Sequence, residues 1–176
     1  MFFALAARAG RRARAPPAFS SSAASFPAPL FVTEAASGRA VSAWHDVPLR
    51  PRGQPEAVLN FLCEIPRGAQ PPKLELDPSR ALNAIVQDKN KDGSPRRYRL
   101  DTLIHYGCLP RTYEDPAHRD RWTGLLGDGD PVDVCDIAVG RSPAPLPGAV
   151  YRVKVRRKGA ARARARARAH ARALRR

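Results

Sequence analysis

Acidic side chains are scarce in this chain, 16 Asp and Glu against 31 Lys and Arg, and aromatics make up only 7% of its 176 residues. There are three cysteines, Cys63, Cys108 and Cys135, an odd number with no C-x-x-C pair. All three lie among apolar neighbours, which points to buried free thiols in a reducing compartment rather than a disulfide framework. The four histidines, His45, His105, His118 and His170, stand at no metal-ligand spacing from the cysteines, which argues against a zinc site. No apolar run approaches the roughly 20 residues of a membrane span, so no membrane association is expected. Helical periodicity is hardly visible between Val41 and Val155, which disfavours a helical bundle.

The shortage of acid is uneven along the chain. Residues 1–40 hold five Arg against one Glu, and residues 156–176 hold ten Lys or Arg with no acid, so the ends carry fourteen of the fifteen net positive charges. The stretch 41–155 is close to neutral, and the overall basicity describes the ends rather than the foldable part. Residues 1–35 open with Met1-Phe2-Phe3-Ala4-Leu5, continue through Arg11, Arg12 and Arg14 into a serine cluster, and show no acid before Glu34. That is the composition of an organellar transit peptide, expected to be disordered; a secretory signal would place its positive charge before the apolar run. The predicted location is a chloroplast or mitochondrion, otherwise the cytoplasm.

From Val41 the texture changes to short apolar runs punctuated by Pro and Gly, the signature of strands joined by turns. The spacing predicts strands at Val41–Val47, Ala57–Ile65, Pro72–Leu76, Ile85–Asp88, Leu103–Tyr106, Val132–Val139 and Ala149–Val155. So many short strands favour a barrel.

The few acids of this central part gather in one place. Gly127-Asp128-Gly129-Asp130-Pro131-Val132-Asp133-Val134-Cys135-Asp136 puts three carboxylates within six residues. Asp130 precedes proline and is pushed away from helix. Val132 and Val134 would then share one face of a strand with Asp133 on the other, while Asp128 and Asp130 sit on the entering loop. An EF-hand loop is excluded: its sixth position should be Gly and is Asp133, and its twelfth should be Glu and is Val139. Oxygen donors so grouped suit Mg²⁺, which keeps several waters and bridges carboxylates to phosphates. A second constellation is Lys73-Leu74-Glu75-Leu76, where Lys73 and Glu75 point one way along a strand and the leucines the other. On an exposed face this is a solvated ion pair; beside a phosphate it is an ammonium next to a carboxylate that orients a metal's waters. Lys89–Arg99 forms a basic run offset only by Asp92.

With Ser42-Ala43-Trp44-His45-Asp46-Val47-Pro48-Leu49, Cys63-Glu64-Ile65-Pro66-Arg67-Gly68, Lys73-Leu74-Glu75, Tyr106 to Pro116 and Gly127 to Asp136 in this order, the stretch from about Val41 to Val155 resembles the soluble family I inorganic pyrophosphatases of eukaryotic type. The resemblance implies a mainly β fold with an OB-type five-stranded barrel, here incomplete at its C-terminal side and flanked by disordered tails. It implies Mg²⁺-dependent hydrolysis of pyrophosphate to two phosphates, an inorganic diphosphatase activity, with a homodimer as one possible assembly. Pyrophosphate repels hydroxide, so catalysis by such an enzyme is chiefly charge neutralisation and the placing of a water. Carried over by motif, Asp128 and Asp133 are metal ligands, Asp133 bridging two ions, and Asp130 takes the proton of the attacking water. Glu64 and Glu75 hold the metal's waters. Lys73, Arg97 and Tyr106 bind or protonate phosphate oxygens, with Arg96 and Arg99 as alternatives to Arg97.

The chain departs from the family in two places. Between Tyr98 and Tyr106 it is shorter, and Thr102 stands where the family carries a phosphate-side tyrosine. After Val153-Lys154-Val155 the family supplies two more ligating aspartates and a lysine, whereas this chain alternates Ala and Arg from Ala161 to Ala169. Residues 41–155 therefore read as a partial pyrophosphatase domain and 156–176 as a low-complexity tail. Repeated GCG-CGC codons encode such alternation, so a truncated or misread product is one explanation. An arm that binds nucleic-acid phosphates is another, and an inactive relative that keeps phosphate binding is a third reading of the whole.

Overall fold

The computed structural model describes residues 5–7, 28–68, 70–121, 123–138 and 145–156. Nine strands are described: β1 (Leu5–Ala7), β2 (Val32–Thr33), β3 (Ala40–Val41), β4 (Val58–Ile65), β5 (Leu74–Leu76), β6 (Ile85–Gln87), β7 (His105–Cys108), β8 (Asp133–Asp136) and β9 (Val150–Arg156). A single 3₁₀ turn, Ala81–Asn83, is the helical content of the described residues. Among them no helix is long and apolar enough to cross a membrane. The tail 157–176 and most of the leader, with the readings made for them above, lie outside the described residues.

Five strands close into the barrel in the order β1-β8-β7-β4-β9. The central strand is β4, antiparallel to β9 from Val58↔Lys154 to Leu62↔Val150 and to β7 on its other side. β7 and β8 pair from His105↔Asp136 to Cys108↔Asp133. The remaining gap is bridged by β1, parallel to β8 at Leu5↔Cys135 and antiparallel to β9 from Leu5↔Arg156 to Ala7↔Lys154. A stretch that composition marks as leader thus supplies backbone partners to the two strands that would otherwise be edges.

The alternation of β4 divides the core. Phe61 and Cys63 pack with Leu109, Val134 and Val153, whereas Leu62 joins Trp44, Val47, Leu74, Leu76 and Ile85. Ile65 lies on the same side as Leu62, three residues away, which a regular strand forbids. The explanation is a bulge: Cys63 pairs with Gly107 and Ile65 with Tyr106, so Glu64 and Ile65 oppose a single residue. Gly107 is required there, because a Cβ would run into the Leu62 carbonyl.

Outside the barrel, β5 and β6 form a hairpin with Glu75 opposite Val86. β2 and β3 make a second ribbon, and Leu30 bridges Ile85 to join the two. One expected strand is corrected. Val41–Val47 is extended only at its start, and Ser42 to Val47 is a turn. The Ser42 amide donates to Asp46 Oδ2 (2.8 Å), the Asp46 amide to the Ser42 carbonyl (3.1 Å), and Ser42 Oγ accepts from the His45 amide (2.9 Å). These local bonds satisfy the backbone in place of a sheet ladder.

Candidate active site

The hairpin, the β4 bulge and the acidic loop face one another across a cavity of about 150 Å³ lined by Glu64, Lys73, Glu75, Tyr106, Asp128, Asp130 and Asp133. Seven of the eight side chains singled out from the sequence are therefore together. The eighth, Arg97, is elsewhere: its guanidinium donates to the Gln70 carbonyl (3.0 Å).

Each side of the cavity is built locally. Gly129, at φ +88°, turns the acidic loop, and the Asp130 amide donates to Asp128 Oδ1 (3.1 Å). Two backbone bonds lay the loop on residue 114: Gly129 N–H to the Glu114 carbonyl (2.9 Å) and Glu114 N–H to the Asp130 carbonyl (2.8 Å). Gly127 sits so close to this segment that a Cβ would collide with the Glu114 backbone. Pro131 leads into β8, whose first residue, Asp133, lies within hydrogen-bonding reach of the Tyr106 hydroxyl. Across the cavity Lys73 Nζ donates to Glu75 Oε2 (2.6 Å) and Asp88 Oδ2 (2.8 Å), and Arg96 closes on the same Asp88 oxygen at 2.8 Å.

Glu64 is the most deeply placed acid, 4% exposed, with Oε1 accepting from the Leu76 amide (2.9 Å). Burial pushes its carboxyl up to about 8; the Leu76 bond opposes this, and the charges of Asp133, Glu75 and Asp130 add to it. Burial, then Asp128, Glu75 and Asp133, raise Asp130 above the ordinary carboxylate range. Burial likewise raises Asp133, against the bond from Tyr106. Tyr106 is held protonated by burial and by donating to Asp133. Burial alone would lower Lys73, but its bonds to Asp88 and Glu75 outweigh that and raise it. This is a cavity with more negative charge than its own side chains neutralise, and its acidic groups are carboxylate oxygens, the set that suits Mg²⁺, while burial holds the Cys108 thiol in the lining well above its ordinary value. Among the described residues no three acidic, histidine or cysteine side chains already converge as direct metal ligands.

Three features were missed in the sequence. Asp88 links Lys73 to Arg96, and only the hairpin register reveals it. The β4 bulge, which re-aims Glu64, leaves no signal except Gly107 across from it. Tyr98 is the third: burial raises its phenol, and the charges of Lys73, Arg96, Asp133 and Glu64 all act on it, although it does not itself line the cavity. Thr102 accepts from the Gly68 amide (3.2 Å). A larger depression of about 590 Å³ near Trp44, Arg111 and Tyr113 has no carboxylate in its lining.

A small, mostly antiparallel barrel with an acidic cavity opposite an anchored lysine is an arrangement suited to binding an anion together with a cation. The comparisons narrow it. A family model described as inorganic pyrophosphatase matches residues 61–156. Over 115 residues, 65% of this chain and 39% of the relative, the sequence is 41% identical to the inorganic pyrophosphatase of Dictyostelium discoideum. Over 114 residues it is 40% identical to soluble inorganic pyrophosphatase 1, chloroplastic, of Chlamydomonas reinhardtii, covering 65% and 38%. Among solved structures, the type I inorganic pyrophosphatase of Toxoplasma gondii superposes with a TM-score of 0.60 at 37% identity, covering 68% of this chain and 51% of that one. An N-terminally truncated vacuolar soluble pyrophosphatase of Trypanosoma cruzi in complex with PPi gives 0.57 at 28%, covering 79% and 63%. The chain belongs to the family I soluble inorganic pyrophosphatases. It spans about two fifths of the length of the curated relatives it matches.

Proposed function

We propose that this chain binds Mg²⁺ and pyrophosphate in the acidic cavity and hydrolyses the anion to two phosphates. The observation that carries this is the convergence of Glu64, Glu75, Asp128, Asp130 and Asp133 with Lys73 and Tyr106 on one cavity; that a relative was solved with PPi supports it. When bound, Mg²⁺ supplies charge neutralisation of the phosphates and a more acidic water. Asp128 and Asp133 are the residues to hold the ion, and Glu64 and Glu75 orient its waters. Asp130, raised above the ordinary carboxylate range by burial and its acidic neighbours, is the group to take the proton of the attacking water, since such a shift makes a carboxylate a stronger base. Lys73, pinned from two sides, presents its ammonium to a phosphate oxygen, and Tyr106, protonated, can donate to one. Arg96 takes the role first given to Arg97, because Asp88 ties it to Lys73.

The test is phosphate release from pyrophosphate with and without Mg²⁺. Mg²⁺-dependent release that falls about 10²–10⁴-fold in Asp130→Asn is expected; a full chain that releases none even with Mg²⁺ contradicts hydrolysis. A second reading, a relative that binds without turnover, is favoured by Thr102, which stands where the resemblance implies a phosphate-side tyrosine and instead accepts from the Gly68 amide. Pyrophosphate binding without release identifies it. Organellar targeting by residues 1–35 is part of the proposal, supported by composition and by two relatives described as chloroplastic. Import of a fusion carrying residues 1–35 into isolated organelles tests it, and a fusion left outside contradicts it.

A further inference from the structure

The β7–β8 ladder does not end where the two strands end. One step beyond the Cys108↔Asp133 pair, Leu109 N–H donates to the Val132 carbonyl (3.0 Å). In an antiparallel pair that exchanges both bonds, Val132 N–H would return to the Leu109 carbonyl. Here a hydroxyl stands between them: Val132 N–H donates to Thr112 Oγ1 (2.9 Å), and Thr112 Oγ1 donates to the Leu109 carbonyl (2.6 Å).

Thr112 cannot easily leave that place. Its own carbonyl accepts from Trp44 Nε1 (2.8 Å). The preceding Arg111, at φ +55°, donates its amide to the Trp44 carbonyl (2.8 Å) and its Nε to the His45 carbonyl (2.8 Å). On the other side of the hydroxyl, the acidic loop is fixed at Gly129 and Asp130 by the Glu114 backbone. Pro131 has no N–H to give, so the amide of Val132 is the one backbone donor between Asp130 and Asp133. The two acids flank a short segment whose donor is held by Thr112.

We infer that Thr112 is a positioning residue for the acidic loop, its hydroxyl spliced into the ladder so that the short segment between Asp130 and Asp133, the acids that would serve Mg²⁺ and its water, is held in place. This role rests on the reading of the cavity as a Mg²⁺–pyrophosphate site. Without the hydroxyl, Val132 N–H and the Leu109 carbonyl either lose their partners or close on each other, and both outcomes shift the segment between the acids. Groups that orient metal ligands indirectly typically change affinity or activity by about 10–100-fold when removed.

The experiment compares full-length wild type, Thr112→Val and Thr112→Ser by calorimetric Mg²⁺ titration, by amide exchange at Val132, and by steady-state hydrolysis. Thr112→Val, isosteric but without the hydroxyl, is expected to bind Mg²⁺ about 10–100-fold more weakly, to lose protection at the Val132 amide, and to lower kcat with little change in KM. Thr112→Ser is expected to follow wild type on all three. A Thr112→Val chain that matches wild type in Mg²⁺ affinity and Val132 protection overturns the role while leaving the cavity reading intact. Should the Val substitution prevent folding, Thr112→Ser decides: a Ser variant that loses Mg²⁺ affinity shows that the methyl group and not the hydroxyl matters. A wild type that binds no Mg²⁺ overturns the cavity reading and this role with it.

Discussion

On one wall of the cavity, the β5–β6 hairpin, Lys73 is bonded to Glu75 and Asp88, and Arg96 meets Asp88 from outside. On the other, Asp128, Asp130, Asp133 and Glu64 form no ion pair with a basic side chain among the described residues. The first wall is settled by its own charges. The second is a concentration of like charge that burial makes worse, and the upward shifts of Glu64, Asp130 and Asp133 record that. A protein that only needed stability would neutralise or disperse such acids; one that recruits a cation leaves them unpaired. Under the proposed function the two walls do different work: the acidic loop is the part to hold metal and take the proton, and the hairpin the part to receive the anion.

Substitutions on each wall should therefore fail differently. The largest effect is expected for Asp133→Asn, which removes the ligand proposed to bridge two ions. Mg²⁺ affinity and kcat should fall together, kcat by about 10²-fold or more, and a variant that changed KM alone would erase the distinction between the walls. Next is Asp88→Asn, which loosens Lys73 and Arg96 without touching the loop. KM for pyrophosphate should rise about 10-fold, the scale of one weakened charge-assisted bond, with Mg²⁺ affinity by calorimetry unchanged. Its cost in stability should be only about 0–1 kcal/mol, since these side chains are partly solvated.

A pH comparison sharpens the contrast. Glu64 is pushed up to about 8 from an ordinary 4.5. Between those values the unfolded chain has released a proton that the folded chain keeps, so metal-free stability should fall as pH rises from about 4.5 to about 8. Thermal unfolding of Glu64→Gln in the same range should show a flatter dependence, and added Mg²⁺ should flatten that of wild type. An equal slope in the Gln variant would mean that Glu64 is not the strained acid. The smallest effect is expected at the barrel's closure: Ala6→Pro disturbs the pairing of the three-residue β1 with β9, costing about 1 kcal/mol, read as a small drop in melting temperature with Mg²⁺ affinity unaltered.

Much of this was legible in the sequence where spacing alone dictates geometry. The Asp-Gly-Asp-Pro run had to turn and then extend, and Lys73 and Glu75 had to share a strand face; that these meet Glu64 and Tyr106 in one site was implied by the family resemblance rather than by spacing. Ser42 to Val47 looked extended because its apolar residues suit a strand, but Ser42 and Asp46 offer the backbone closer partners. Glu64's placement depends on a bulge, and a bulge is a property of the pair of strands rather than of either one. Arg97 was chosen from a run of arginines whose register against Pro72 was unknown; the bridge Pro72↔Arg97 sends its neighbour, Arg96, to Asp88 instead. β1 was hidden because Leu5-Ala6-Ala7 has no strand signature of its own, and its pairing comes from the two edges it meets.

The most direct test of the unpaired acidic wall is a Mg²⁺ titration of the full chain beside a variant in which Asp128, Asp130 and Asp133 are all changed to Asn. Saturable binding by the parent that disappears in the triple variant, with pyrophosphate release lost alongside it, is the predicted result. Equal Mg²⁺ binding by the two chains would contradict it.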